Sequence, residues 1–183
     1  MVSTVGLFAG SQMFVTFNSQ HREKAEAAAD RAQQRVREMN LNNSALYQRT
    51  DRMDDWAADY LGALAELAVA EYSGLPWGNY ELGGVDVGDD IEVRRTGQYW
   101  GGLRVMRKDY DDVRINVNVL VYMENDVQAL LVGWVNTETA WIRGRQCNEK
   151  RPGCCRYYRE SDSLIINRKH LRPIDQLPER NQQ

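Results

Sequence analysis

A chain of 183 residues with 43% hydrophobic content suits one domain with its own core and room for a terminal extension. A formal net charge of −3 and a pI near 5.5 argue against a wholesale polyanion binder, so any nucleic-acid surface has to be local. Three Cys fit a reducing compartment rather than a disulfide framework, the start lacks a basic signal region, and no uncharged apolar run is long enough to span a bilayer; a soluble, cytoplasmic protein is expected.

In residues 1–17, the apolar run from Met13 to Phe17 reads as a strand or an ordered arm. Asn18 and Ser19 then offer N-cap side chains to a helix over residues 20–39, a stretch of high helix propensity. Its apolar positions are mostly Ala, so it has little to bury. It is expected as a solvated helix on the domain edge, or as an arm that packs on a partner subunit or along DNA through Arg31, Arg35 and Arg37. Residues 1–50 are therefore set apart as an N-terminal arm and helix, 51–177 as the main domain and 178–183 as a frayed tail.

After a polar loop over 40–50, a second helix is predicted from Thr50-Asp51 to Tyr72 or Ser73, stopped by Gly74 as a C′ residue. Around Glu66, at spacings of three and four, sit Gly62, Ala63, Val69 and Ala70. A carboxylate emerging from such a small-residue face needs a partner, either a nearby Arg or a site.

The most informative stretch is Val85-Asp86-Val87-Gly88-Asp89-Asp90-Ile91-Glu92-Val93-Arg94-Arg95-Thr96. Alternation on a strand sends Ile91 and Val93 to one face and Glu92 and Arg94 to the other. Gly88 and the Asp pair favour a tight turn, and a hairpin there brings Asp86 towards Glu92. Paired carboxylates repel, and the usual remedy is a hard cation with oxygen ligands, such as Mg²⁺ or Mn²⁺. The alternative is a surface hairpin whose acidic turn is only solvated.

Further along, Leu103 to Arg107 alternates as a strand, residues 109–112 read as an acidic turn, and 114–124 with 128–135 read as a hairpin. Lys108 is a loop lysine able to supply an ammonium group from a neighbouring strand. Residues 137–143 suit a short helix containing Trp141. The loop that follows interleaves Arg143, Arg145, Lys150, Arg151 and Arg156 with Tyr157, a composition suited to phosphate contact and base stacking. Cys147, Cys154 and Cys155 fall in this loop and, with His170, make a weak zinc pattern without paired CxxC spacing. Residues 163–166 read as the last strand, followed by a basic turn.

An Asp, a short gap and then Glu-x-Arg on an apolar strand resemble the PD-(D/E)xK nuclease superfamily. The run from Gly62 to Thr96, with Val132-Gly133-Trp134 and Leu171-Arg172-Pro173, looks like small phage-encoded members. The resemblance implies a restriction-endonuclease-like α/β fold: a mixed sheet of about five strands with flanking helices. It implies a Mg²⁺- or Mn²⁺-dependent deoxyribonuclease in the host cytoplasm, with Asp86 and Glu92 on the metal, Glu66 completing the shell and Arg94 in the basic position. Arg94 stands where Lys is usual, and a guanidinium holds a phosphate but does not act as a general base. The competing readings are a non-catalytic nucleic-acid-binding or virion-assembly protein of the same fold, and an interaction module that oligomerises through its N-terminal helix.

Overall fold

A computed structural model describes residues 6–8, 12–38, 55–78, 84–142, 157–158 and 163–178. The chain runs β1 (Gly6–Phe8), β2 (Gln12–Thr16), α1 (Ser19–Glu38), α2 (Asp55–Ser73), β3 (Ile91–Thr96), β4 (Leu103–Met106), α3 (Arg107–Asp111), β5 (Val117–Tyr122), β6 (Gln128–Asn136), a helical turn over 137–142, β7 (Tyr157–Tyr158) and β8 (Ser163–Ile166). It is a mixed α/β protein. Five strands form one sheet in the order β1-β2-β6-β5-β3, with β3 at one edge, and β4-β8-β7 form a second. Only the β3–β5 pair of the main sheet is parallel.

The dense apolar run of β6 is explained by its central place between β2 and β5, buried on both faces. Ile91, Val93, Val117, Val119, Val121, Ala129 and Leu131 share one core with α2. On the other side, Leu120 and Val135 pack with Leu103, Val105, Leu164, Ile166 and Trp141, so the small sheet backs the large one. Gly133 lies where these layers meet the end of the chain. A Cβ there would stand 2.5 Å from the Arg172 carbonyl oxygen. That approach lets Trp134 and Arg172 exchange backbone hydrogen bonds at 3.0 and 2.8 Å, joining the two short motifs flagged in the sequence.

Three expectations need correction. The N-terminal segment is no appendage: β2 pairs with β6, and Ala25, Ala28, Ala29, Ala32 and Val36 of α1 are all buried. A stripe of Ala removes little area per residue, yet it lets two helices approach closely, and α1 lies along α2. Trp56 Nε1 donates to Asp30 Oδ1 at 2.8 Å and Gln33 Nε2 to Asp59 Oδ2 at 2.6 Å, fixing that approach. Second, the predicted acidic turn at 109–112 is largely helical, within α3. Third, Lys108, expected in a loop, lies in α3.

Other readings hold. Asn18 Oδ1 accepts from the His21 amide at 3.0 Å as an N-cap side chain does. Helix α2 ends before Gly74, whose φ of 68° suits a C′ glycine. Among the described residues no helix is long and apolar enough to cross a membrane.

Candidate functional site

Edge strand β3 carries the site. Burial does not alternate along it, since Ile91, Glu92 and Val93 are all buried, but Ile91 and Val93 enter the α2 core, whereas Glu92 and Arg94 leave the opposite face. Before it, Val87 and Ile91 exchange backbone hydrogen bonds at 3.1 and 3.2 Å around a turn in which Gly88 adopts a φ of 58°. This turn returns Asp86 to the strand's open edge. There the Val93 amide donates to Asp86 Oδ2 at 2.7 Å, so the side chain satisfies an edge amide.

Glu66 reaches the same place from α2 and is only 4% exposed. Its partner is not an Arg: Trp77 Nε1 donates to Glu66 Oε2 at 2.9 Å, and the charge of Asp86 bears on it. Burial, and then the charge of Asp86, hold the Glu66 carboxyl well above the usual range, against the opposing pull of Trp77. Burial and then Glu92 push Asp86 up to about 7. Glu92, also 4% exposed, is raised by burial despite the attraction of Arg94. Like charges this close disfavour full ionisation, so Glu66 and Asp86 each raise the other's proton affinity.

Arg94 sits on the far side of Glu92 and is committed to carboxylates. Its Nη1 donates to Glu92 Oε1, and its Nη2 contacts both oxygens of Asp109 at 2.8 Å. Burial opposes the guanidinium charge, but Glu92, Asp109 and Asp86 together raise its pKa further. Asp109 is fully buried and also accepts from the Met106 amide at 2.9 Å, tying β4 to α3 as the third helical residue of a capping box does. Lys108, on the first turn of α3, places Nζ 3.9 Å from Glu92 Oε1 while its side chain stays 66% exposed. Opposite Glu92 in register is buried Asn118, whose Nδ2 donates to Thr137 Oγ1 at 2.8 Å.

The structure therefore brings together Glu66, Asp86, Glu92 and Arg94. It adds Trp77 and Asp109, which the sequence analysis missed. Trp77 is eleven residues from Glu66, and an isolated bridge between Trp77 and Val87, flanked by Gly78–Asp86 and Gly88–Pro76 backbone hydrogen bonds, brings it back. Asp109 was one of several Asp in a stretch read as a turn. Arg143, Arg145, Lys150, Arg151, Arg156 and the three Cys lie outside the described residues, as does the side chain of Tyr157, whose backbone forms part of β7.

Among the described residues no group of three or more His, Cys, Asp or Glu side chains is gathered to hold a metal ion as it stands. Trp77 holds Glu66, the Val93 amide holds Asp86 and Arg94 holds Glu92. The donor chemistry nevertheless fits a hard divalent cation: Glu66, Asp86 and Glu92 offer carboxylate oxygens of raised proton affinity, and oxygen is the ligand Mg²⁺ and Mn²⁺ take. The chain matches no family model, no curated protein and no solved structure.

Proposed function

We propose that the protein is a divalent-metal-dependent nuclease that hydrolyses phosphodiester bonds in DNA, with Glu66, Asp86 and Glu92 as metal ligands. The observation that supports this reading best is that two buried carboxylates, Glu66 and Glu92, and half-buried Asp86 bear on one another's charge, delivered by α2, β3 and the turn before β3. Their elevated proton affinity is a standing cost that a cation relieves. Bound there, Mg²⁺ or Mn²⁺ supplies a more acidic water and neutralises charge on the scissile phosphate.

The chain's own groups do the rest. Glu66, Asp86 and Glu92 would hold the ion in their ionised forms, and Trp77 keeps Glu66 oriented. Lys108 fills the role left open by Arg94: an exposed ammonium beside Glu92 reaches a phosphate oxygen or the attacking water. Arg94 steadies Glu92 and Asp109 and adds a positive field behind them, in place of the direct phosphate clamp suggested by the motif. The restriction-endonuclease-like fold and a phage origin belong to the same proposal.

Supercoiled, linear and single-stranded DNA are incubated with Mg²⁺ or Mn²⁺ and wild type, Asp86→Asn or Glu92→Gln. Cleavage by wild type alone is expected. A wild type inert on every substrate with both metals overturns the proposal. One observation favours a second reading, a non-catalytic nucleic-acid-binding protein of the same fold: both Nη groups of Arg94 are occupied by carboxylates.

A further inference from the structure

Beyond the end of β3 the chain turns through residues 97–101 and presents two aromatic rings to solvent, Tyr99 and, at 76% exposed, Trp100. Trp100 contributes little to the core and leaves its ring accessible to a ligand. The turn is held in place. Thr96 Oγ1 accepts from the Gln98 amide at 3.2 Å, and the Gly101 amide donates to the Gln98 carbonyl at 2.8 Å. Arg168 locks it from the other side, donating Nη1 to the Tyr99 carbonyl and lying over the Tyr99 ring at 4.4 Å. Tyr122 meets Tyr99 edge to face at 5.6 Å.

The charge that lies against the Tyr99 ring is positive, that of Arg168. Arg168, Lys169 and His170 form one 3₁₀ turn, and Lys169 and His170 are exposed. The nearest carboxylate in this chain of contacts is Glu124, which accepts from the Tyr122 hydroxyl at 3.4 Å. A rigid aromatic surface next to a short cationic run matches one ligand chemistry, an unpaired base followed by its phosphates. A duplex hides the faces of its bases inside the stack, so a paired substrate cannot use Trp100.

We infer that Tyr99 and Trp100, with Arg168 and Lys169, form a stacking platform for single-stranded DNA. It lies downstream of the carboxylates on the same strand: Glu92 is the second residue of β3, and four residues of strand from Glu92 to Thr96 span about 13 Å. A strand that stacks on Trp100 and follows the β3 edge brings a phosphate a few nucleotides away to Glu92. The inference rests on the nucleic-acid reading above and specifies its substrate as single-stranded ends or gaps.

Binding is measured in EDTA by fluorescence anisotropy, so cleavage plays no part. The probes are a labelled 16-nucleotide oligothymidine, an abasic strand of equal length and a duplex of equal length. Wild type is expected to prefer the oligothymidine to the abasic strand, and Trp100→Ala to lose about 5- to 100-fold in affinity for oligothymidine alone. Lys169→Ala is expected to weaken both single strands alike and to reduce the salt slope by about one. Both residues are exposed, and matching thermal melts establish that each variant folds.

Equal affinity of wild type and Trp100→Ala for oligothymidine overturns the platform, as does self-association that Trp100→Ala abolishes without any effect on the DNA strand. Cleavage with no Trp100 effect leaves the nuclease and removes the platform. Trp100-dependent binding without cleavage does the reverse.

Discussion

The two faces of β3 are built on opposite principles from residues that alternate one by one. Ile91 and Val93 are held by apolar burial against α2, a non-directional attraction that tolerates modest change. Glu92 and Arg94 are held by a directional set of contacts reaching Asp109 and Lys108, in which each charge is acceptable only because of its neighbours. One face keeps the strand in place. The other holds charges that are tolerable only together.

Removing one member of the charged face should have the largest effect. Asp109→Ala leaves the buried guanidinium of Arg94 short of one partner and frees the Met106 amide. A loss of about 3–5 kcal/mol is expected in urea unfolding. A loss below about 1 kcal/mol would show that Arg94 moves to solvent and that the buried network is dispensable. Lys108→Ala separates chemistry from stability on the same face. It should cut metal-dependent cleavage by about 10²-fold while leaving stability within about 0.5 kcal/mol, because the side chain is largely exposed.

The carboxylates make a pH prediction with a definite sign. Asp86 ionises near 3.8 when unperturbed and near 7 in the fold. Below pH 4 both folded and unfolded chains hold the proton. As pH rises from about 4 through 7 the unfolded chain releases it first, so the metal-free protein loses stability across that window. In EDTA at pH 8, Asp86→Asn should therefore melt about 5 °C higher than wild type, with no difference at pH 4. Added Mg²⁺ should raise the melting temperature of wild type and not of the variant. Equal melts in EDTA at both pH values would remove the idea of a strained carboxylate pair.

The smallest effect belongs to the apolar face. Ile91→Val should cost about 0.5–1.5 kcal/mol in urea unfolding, with the same loss at pH 4 and pH 8 and at low and high salt. A pH-dependent loss would mean that the two faces are coupled through β3.

How much of this was legible beforehand differs by element. Helix α2 and its stop at Gly74, the turn at Gly88, the alternation of β3 and the β5–β6 hairpin were all readable, because each follows from spacing and turn chemistry within a few residues. The burial of α1 was not. A stripe of Ala carries little hydrophobic signal, and its value appears only when another small-residue helix lies beside it.

The same division runs through the site. The sequence by itself determined that Glu92 and Arg94 share a face and that a turn returns Asp86 towards them, since a strand's period of two and a glycine at positive φ are local constraints. Only the tertiary structure decided which charges meet. That Glu66 is held by Trp77 rather than an Arg, that Arg94 is drawn to Asp109, and that Lys108 ends beside Glu92 depend on how α2, β3 and α3 pack. Charge pairing across such distances in the chain leaves no period in the sequence, because electrostatics acts on separation in space and not on separation along the backbone.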